Sequence, residues 1–425
     1  PAGTSATITA IEDTFRLIEA SDLGFSDVDG SFASVTISAV TGGGIYFDAD
    51  GSAGAGLPVL ETLPKTYTAQ DLADGKVSYK ANANANGTGL GTITFAVVDD
   101  DGNTDASPNT LTVDVTAVND SPVLTTGGPI AATEQTAVAI LPAGSVADVD
   151  LDARNGGAGD YAGASFSVNR NPATNAAEDR FSIVAGPNFT IDGSSLKAGG
   201  LTFGTISVDG SAGLIVINFT SAQTAATSAL VDEVIQAIRY TNISDNPPAS
   251  VDLAVGFEDG SPGGGQGAGA GDLDVNVVTV NIAGVNDAPV NSLGGTIGTG
   301  EDAIDAWLSG MSISDPDADP ATDEIYVTFQ VTNGSLEIRT DVAGGIVMGD
   351  IIAQGTDTIT VQATLNEINA TLAANNGLTY TPTPNFNGDA KLTVTTNDGG
   401  ANGSDPGLSG DLTSEEDVDE RTISV

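Results

Sequence analysis

The residues with the most evident chemistry in this chain are carboxylates, and they recur in sets. An Asp-X-Asp triplet stands at the matching place early in each set, Asp27-Val28-Asp29, Asp148-Val149-Asp150 and Asp315-Pro316-Asp317, the second and third extended to Asp152 and Asp319. Each follows an acidic pair or its remnant: Glu12-Asp13, Glu134-Gln135 and Glu301-Asp302. Each is followed, further on, by an acidic turn: Asp99-Asp100-Asp101-Gly102, Glu258-Asp259-Gly260 and Asn397-Asp398-Gly399. Between copies stand Val118-Asn119-Asp120-Ser121-Pro122 and Val285-Asn286-Asp287-Ala288-Pro289. Hard cations such as Ca²⁺ take six to eight oxygens at about 2.3–2.6 Å, mixing carboxylates, Asn side chains and backbone carbonyls. An Asp-X-Asp segment can turn two carboxylates toward one ion. Asn-Asp-X-Pro adds a carboxylate, an amide oxygen and the carbonyls of a Pro-stiffened linker. The competing reading of both motifs is plain surface turns, which Asp, Asn, Gly and Pro favour anyway.

The elements that must position these groups repeat with them. Alternating segments such as Thr92–Val97 and Ile325–Val331 read as strands with one buried face. A short helix is expected at one fixed place in each copy: one turn near Thr68–Leu72, a longer amphipathic stretch through Leu230–Ile238, and a third starting at Thr364 with capping-box spacing to Glu367. A Tyr strand follows each, at Tyr79, Tyr240 and Tyr380. Many short strands with one helical turn make an all-β sandwich, here three in tandem, bounded at 1–121, 122–288 and 289–425. The middle copy is longest, with loop-like insertions expected at Asp152–Asp179 and Ser261–Asp272. Both chain ends fall in phase with the repeat, as for a segment of a longer array.

Composition narrows the function. The chain has 425 residues, 57 Asp plus Glu against 12 Lys plus Arg, and a net charge of -45. Phosphate binding requires a basic surface, so nucleic acid is excluded as a partner. The same charge repels itself unless it is spread out or neutralised by cations. Cys and His are both absent, which removes thiolate chemistry, the commonest general base and the usual zinc ligand. No apolar run approaches the length of a membrane span, and the first residues lack signal-peptide character.

These motifs resemble cadherin repeats, and more closely the bacterial cadherin-like tandem repeats of giant surface adhesins of the repeats-in-toxin type. The residues carrying the resemblance are Val118–Pro122, Val285–Pro289, the early Glu12, Glu134 and Glu301, and the three Asp-X-Asp motifs. The Leu-Asp-Arg-Glu motif of animal cadherins is not visible, and the linker lacks a second Asn after Asp120 and Asp287. The resemblance implies cadherin- or immunoglobulin-like sandwiches with Ca²⁺ at each junction. It gives the first junction Glu12, Asp13, Asn119, Asp120, Asp148 and Asp150, with Asp99, Asp100 and Asp101 as additional candidates. It gives the second Glu134, Asn286, Asp287, Asp315 and Asp317, with Glu258 and Asp259. Asp27 and Asp29 would face a preceding module, and Glu301, Asp302 and Asp398 a following one. Asp152 and Asp319 join the candidates as extensions of their triplets.

The function expected is mechanical: a calcium-stiffened stalk segment of a large, secreted or surface-anchored bacterial protein, serving adhesion or surface assembly, and not an enzyme. Its partners are neighbouring repeats, with homo-assembly on the cell surface or a surface glycan or protein ligand left open. One rival is a self-assembling surface-layer or filament subunit; the other is a lectin-like module in the middle copy. The run Glu415–Glu420 reads as solvated charge, the Gly263–Gly271 run as a loop rather than a glycine-rich calcium repeat, and Trp307 as core rather than a sugar platform. A glycoside-hydrolase carboxylate pair is not singled out by any motif, and threefold repetition argues against a unique active site.

Overall fold

The computed structural model describes residues 1–51, 57–260, 266, 271–399 and 416–425. The Gly263–Gly271 run, apart from 266 and 271, and Glu415 lie outside the described residues. The chain is all-β with a few short helices, and its buried residues fall into three separate cores built around Phe95, Phe257 and Phe329.

Each core is closed by two facing sheets. In the first, a five-stranded sheet orders Ala6–Ile11, Asn109–Thr116, Gly87–Asp99, Phe32–Thr41 and Lys65–Thr68, opposite a four-stranded sheet of Arg16–Leu17, Val77–Ala81, Gly43–Phe47 and Val59–Leu60. Period-two burial explains the layers. Along Gly87–Asp99, Gly91, Ile93, Phe95 and Val97 face inward and the residues between them outward. The third core repeats the plan with a six-stranded and a three-stranded sheet.

The middle core carries an eight-stranded sheet, and here the structure departs from expectation. The segment 152–179 is not simply a loop. It contains the strand Ser165–Arg170, central in the sheet, with Phe166 and Val168 fully buried. Much of the added length instead extends the sheet edge through Thr190–Asp192, Ser195–Ala198 and Leu201–Asp209. Two buried apolar residues among polar ones in Ser165–Arg170 are too weak a period for sequence to distinguish from a polar connection.

The helices lie where the repeat places them: Ala69–Ala73, Ser228–Gln236 and Leu365–Ala373. A threonine caps each one, Thr68, Thr227 and Thr364, accepting a backbone amide at the third helical position. The tyrosines that follow, Tyr79, Tyr240 and Tyr380, are fully buried. Trp307 is different: it is only partly buried and belongs to none of the three cores.

Two features of topology aim the acidic groups. The first strand of each copy pairs in parallel with the last, Ile11 against Thr116 and Thr133 against Ala283. The ladder continues one residue further, with Glu12 N–H donating to Thr116 O and Glu134 N–H to Ala283 O, both at 3.0 Å. Each glutamate is thereby delivered to the start of the linker. Beyond the proline, Leu124 N–H donates to Asp274 Oδ2 at 2.7 Å, and Asn291 N–H to Asp417 Oδ2 at 2.6 Å, fixing the entry into the next sandwich.

Candidate metal centres

At the first junction, groups from both sandwiches converge on the linker. Glu12 is 1% exposed; its Oε1 accepts from Val118 N at 2.5 Å and its Oε2 from Asn86 Nδ2 at 2.8 Å. Asp120 N–H donates to Asp150 Oδ2 at 2.9 Å, and Asn119 Nδ2 to Asp259 Oδ2 at 2.8 Å. One carboxylate oxygen from each of Glu12, Asp120 and Asp150 lies within 4.8 Å of the others. Among the described residues this is the only acidic trio so close.

The second junction repeats these contacts two residues for two. Asp287 N–H donates to Asp317 Oδ2 at 2.5 Å, and Asn286 Nδ2 to Asp398 Oδ2 at 2.9 Å. The Glu134 carboxyl accepts from the Val285 backbone. Asp245 joins from the loop after the Tyr240 strand, held by Gln135 Nε2 at 2.6 Å, and Asn246 Nδ2 donates to Asp317 O at 3.1 Å.

The electrostatics at both junctions disfavour ionisation. Burial raises Asp120, with Asp150, Glu12 and Asp13 adding repulsion. Burial lifts Asp148 to about 6, assisted by Asp259 and Asp150. At the second junction burial takes Glu134 to about 7 and Asp317 to about 6, with repulsion from neighbouring aspartates. Buried carboxylate oxygens without a donor remain on Asp120, Asp148, Glu134, Asp287 and Asp315. Uncompensated buried carboxylates are costly, and a hard cation takes such oxygens as ligands. The donor set, carboxylates plus Asn amides and linker carbonyls, is calcium-class chemistry and contains no nitrogen or sulfur ligand.

The acidic turns are shifted by one junction from the expected assignment. Asp259 serves the first junction and Asp398 the second, through Asn119 and Asn286. Strand direction explains this. Gly87–Asp99 runs antiparallel to Asn109–Thr116, whose end meets Glu12, so the turn between them lies at the opposite end of the sandwich. Accordingly Asp100 accepts from Ser31 N and Oγ at 2.8 and 2.9 Å, and Asp99 is tied to Asn103, both near Asp27 and the Pro1 amine. Asp99, Asp100 and Asp101 are therefore not part of the first junction, nor Asp259 of the second.

Other candidates fall elsewhere. Asp152 accepts from Tyr161 Oη, Ser228 Oγ and Asp148 N, which ties it to the helical turn Val149–Asp152. Exposed Asp319 accepts from Ala321 N at 2.9 Å in a local turn. Glu258, Asp101, Asp29, Glu301 and Asp302 are exposed, and Asp13 accepts only a long 3.4 Å contact from Asn84 N. Sequence reasoning missed Asn86, Asp245 and Asn246. All three sit just after the Tyr strand, so the loop position that recurs with Tyr79 and Tyr240 was the available signal.

No protein-family model and no curated protein matches the chain. Among solved structures it is similar in outline to human CDH23 EC21-23, at 13% identity, with a TM-score of 0.36 and coverage of 100% of this chain and 99% of that one. Mouse cadherin-23 EC22-24 matches at 14% identity and a TM-score of 0.35, over 99% of this chain and 95% of that one. The protocadherin gammaB7 EC3-6 cis-dimer structure matches at 12% and 0.35, over 100% and 74%. Similarity this distant leaves the site to be judged on its own geometry.

Proposed function

We propose that this chain is an extracellular structural segment in which calcium-class cations lock successive β-sandwiches, divided at 1–121, 122–288 and 289–425, into a stiff stalk. One observation carries the reading. Carboxylates from one sandwich (Glu12), the linker (Asp120) and the next sandwich (Asp150) meet within 4.8 Å, and Asp120 Oδ2 is buried without a donor. Left to themselves these groups repel and loosen the hinge. A divalent ion shared among them would turn repulsion into a crosslink between modules.

The residues that would hold it at the first junction are Glu12, Asp120, Asp148, Asp150 and Asp259 with the Asn119 amide; at the second, Glu134, Asp245, Asp287, Asp315, Asp317 and Asp398 with Asn286. The ion would supply charge neutralisation and rigidity, and no catalytic step. The role is adhesive or scaffolding, on a bacterial cell surface or in a secreted assembly, with neighbouring repeats as the first partners. Extracellular calcium modules bind at roughly 10⁻⁴–10⁻³ M, so the junctions would be loaded outside the cell and empty inside it. Small-angle scattering in millimolar calcium and in chelator tests this. The maximum dimension should contract and the profile broaden when calcium is removed; identical profiles would dismiss the proposal.

A further inference from the structure

The three copies provide an internal control on one sheet face. The buried tyrosines align the short sheets in register, so the next residue row outward can be compared directly. In the first copy that row is Leu17, Ser78 and Tyr46; in the second Ala139, Arg239 and Ser182; in the third Trp307, Thr379 and Glu337. Side chains of paired residues stand on the same face. In the first copy this face is filled by aromatic packing, Phe15 against Tyr46 with centroids 5.2 Å apart and Lys80 over the Phe15 ring. In the third copy the face instead opens into a cleft of about 350 Å³ lined by Asp305, Glu337, Arg339, Asn376 and Thr379. Two residues before Trp307, Asp305 stands where the first copy has Phe15. What all copies share serves the fold. At the equivalent place the second copy has a smaller cleft of about 170 Å³, lined by Val184, Ala185 and Pro187 as well as Gln236 and Arg239. The third copy's is about twice as large and sets two carboxylates, a guanidinium and an amide around it, which calls for another account.

We infer that this cleft is a binding site for a neutral sugar, such as a terminal hexose of a surface glycan. The volume is within the range of small-ligand sites. Two carboxylates accept hydroxyl hydrogens strongly, while a guanidinium and an amide donate to ring and hydroxyl oxygens. Arg339 is pre-positioned, with Nε on Asp341 Oδ1 at 2.8 Å and Nη1 on Asn375 O at 3.0 Å. Asn376 occupies the left-handed position that Gly75 fills in the first copy, where glycine suffices for the turn, and so adds an amide to the rim. An anion would meet Asp305 and Glu337, a simple cation would meet Arg339, and an apolar ligand would find only the largely buried Ile338 as apolar lining. Trp307 stands beside the cleft in the same row, with its Nε1–H buried and without a partner. Its ring offers a flat apolar face of the kind that packs on the C–H face of a sugar.

Trp307 is the single tryptophan of the chain, so its emission reports on this site alone. The whole chain, held in saturating calcium, is titrated with glucose, galactose, mannose and N-acetylglucosamine, and each titration is repeated by calorimetry. At least one sugar should give a saturable emission change with a midpoint on the order of 1–10 mM, weak binding as expected of one small unit. E337Q and D305N should each weaken that sugar at least tenfold while leaving the calcium-dependent melting of the junctions unchanged. Both carboxylates are exposed, so neither variant threatens the core. Absence of a saturable response to all four sugars by both methods overturns the inference. So does a response that E337Q and D305N leave intact, or one produced by calcium alone and unaltered by any sugar.

Discussion

Substitution of Asp120 by Asn should stabilise the metal-free protein and weaken its response to calcium. In the metal-free protein Asp120 faces Glu12 and Asp150 with oxygens within 4.8 Å. At that separation a pair of like charges costs about 0.9 kcal/mol at the dielectric of water and about 3.5 kcal/mol at an effective dielectric near 20. Asp120 is partly solvated, so the lower end applies, and removing its charge relieves two such pairs, about 2 kcal/mol together. The Asn amide also gains acceptors in Glu12 and Asp150. With calcium the same change removes a ligand, and a site held at about ten times its dissociation constant contributes about 1.4 kcal/mol. Differential scanning calorimetry in chelator and in millimolar calcium reads both. D120N should raise the affected transition by roughly 4–8 °C in chelator, taking 2–4 °C per kcal/mol for a unit of this size, and shrink the calcium-induced rise. An undiminished calcium-induced rise in D120N would refute the argument, because simple packing or turn chemistry at Asp120 does not depend on the ion.

The assignment of the acidic turns gives a second expectation. D259N should weaken calcium binding at the first junction and D398N at the second, read as the loss of separate steps in a calorimetric calcium titration; loss of the opposite step in each case would restore the sequence-based assignment. The dependence on pH gives a third. Glu134, Asp317 and Asp148 have folded-state pKa values raised by burial, to about 7, 6 and 6. A raised carboxylate binds its proton more tightly in the folded state, so stability falls as pH rises from near 4.5 through 7. Metal-free protein should therefore melt higher near pH 5 than at pH 8, and millimolar calcium should flatten or invert that trend. Metal-free protein that melts higher at pH 8 would contradict the burial and repulsion described at the junctions.

Much of the fold was legible because the chain states it three times. The capping-box spacing of Thr364 to Glu367 and the tyrosines Tyr79, Tyr240 and Tyr380 carry strong local signals, and repetition shows which residues matter. The identity of the linker residues was legible for the same reason. What sequence could not convey was partnership across the fold. Nothing local in Asp259 distinguishes the end of the sandwich at which it lies, since that depends on how many strand reversals separate it from each linker. The strand Ser165–Arg170 was hidden for a related reason: with only Phe166 and Val168 facing inward, it is defined by its neighbours Leu214–Phe219 and Ser250–Glu258 rather than by its own period.

Repetition also separates structural demand from specialisation, and here the two classes of acidic residue part. Glu12 and Glu134, Asp120 and Asp287, Asp150 and Asp317, Asp259 and Asp398 recur as matched sets with matched hydrogen bonds. Chance surface turns have no reason to reproduce such sets 30 residues apart in the chain at one contact and more than 100 at the other. A recurring arrangement that leaves buried carboxylate oxygens unpaired is disfavoured for the apo protein and favoured only when something neutralises it. With 12 basic residues in the chain, protein cations cannot supply that neutralisation throughout. The external cation proposed for the junctions would answer the net charge and the junction geometry together.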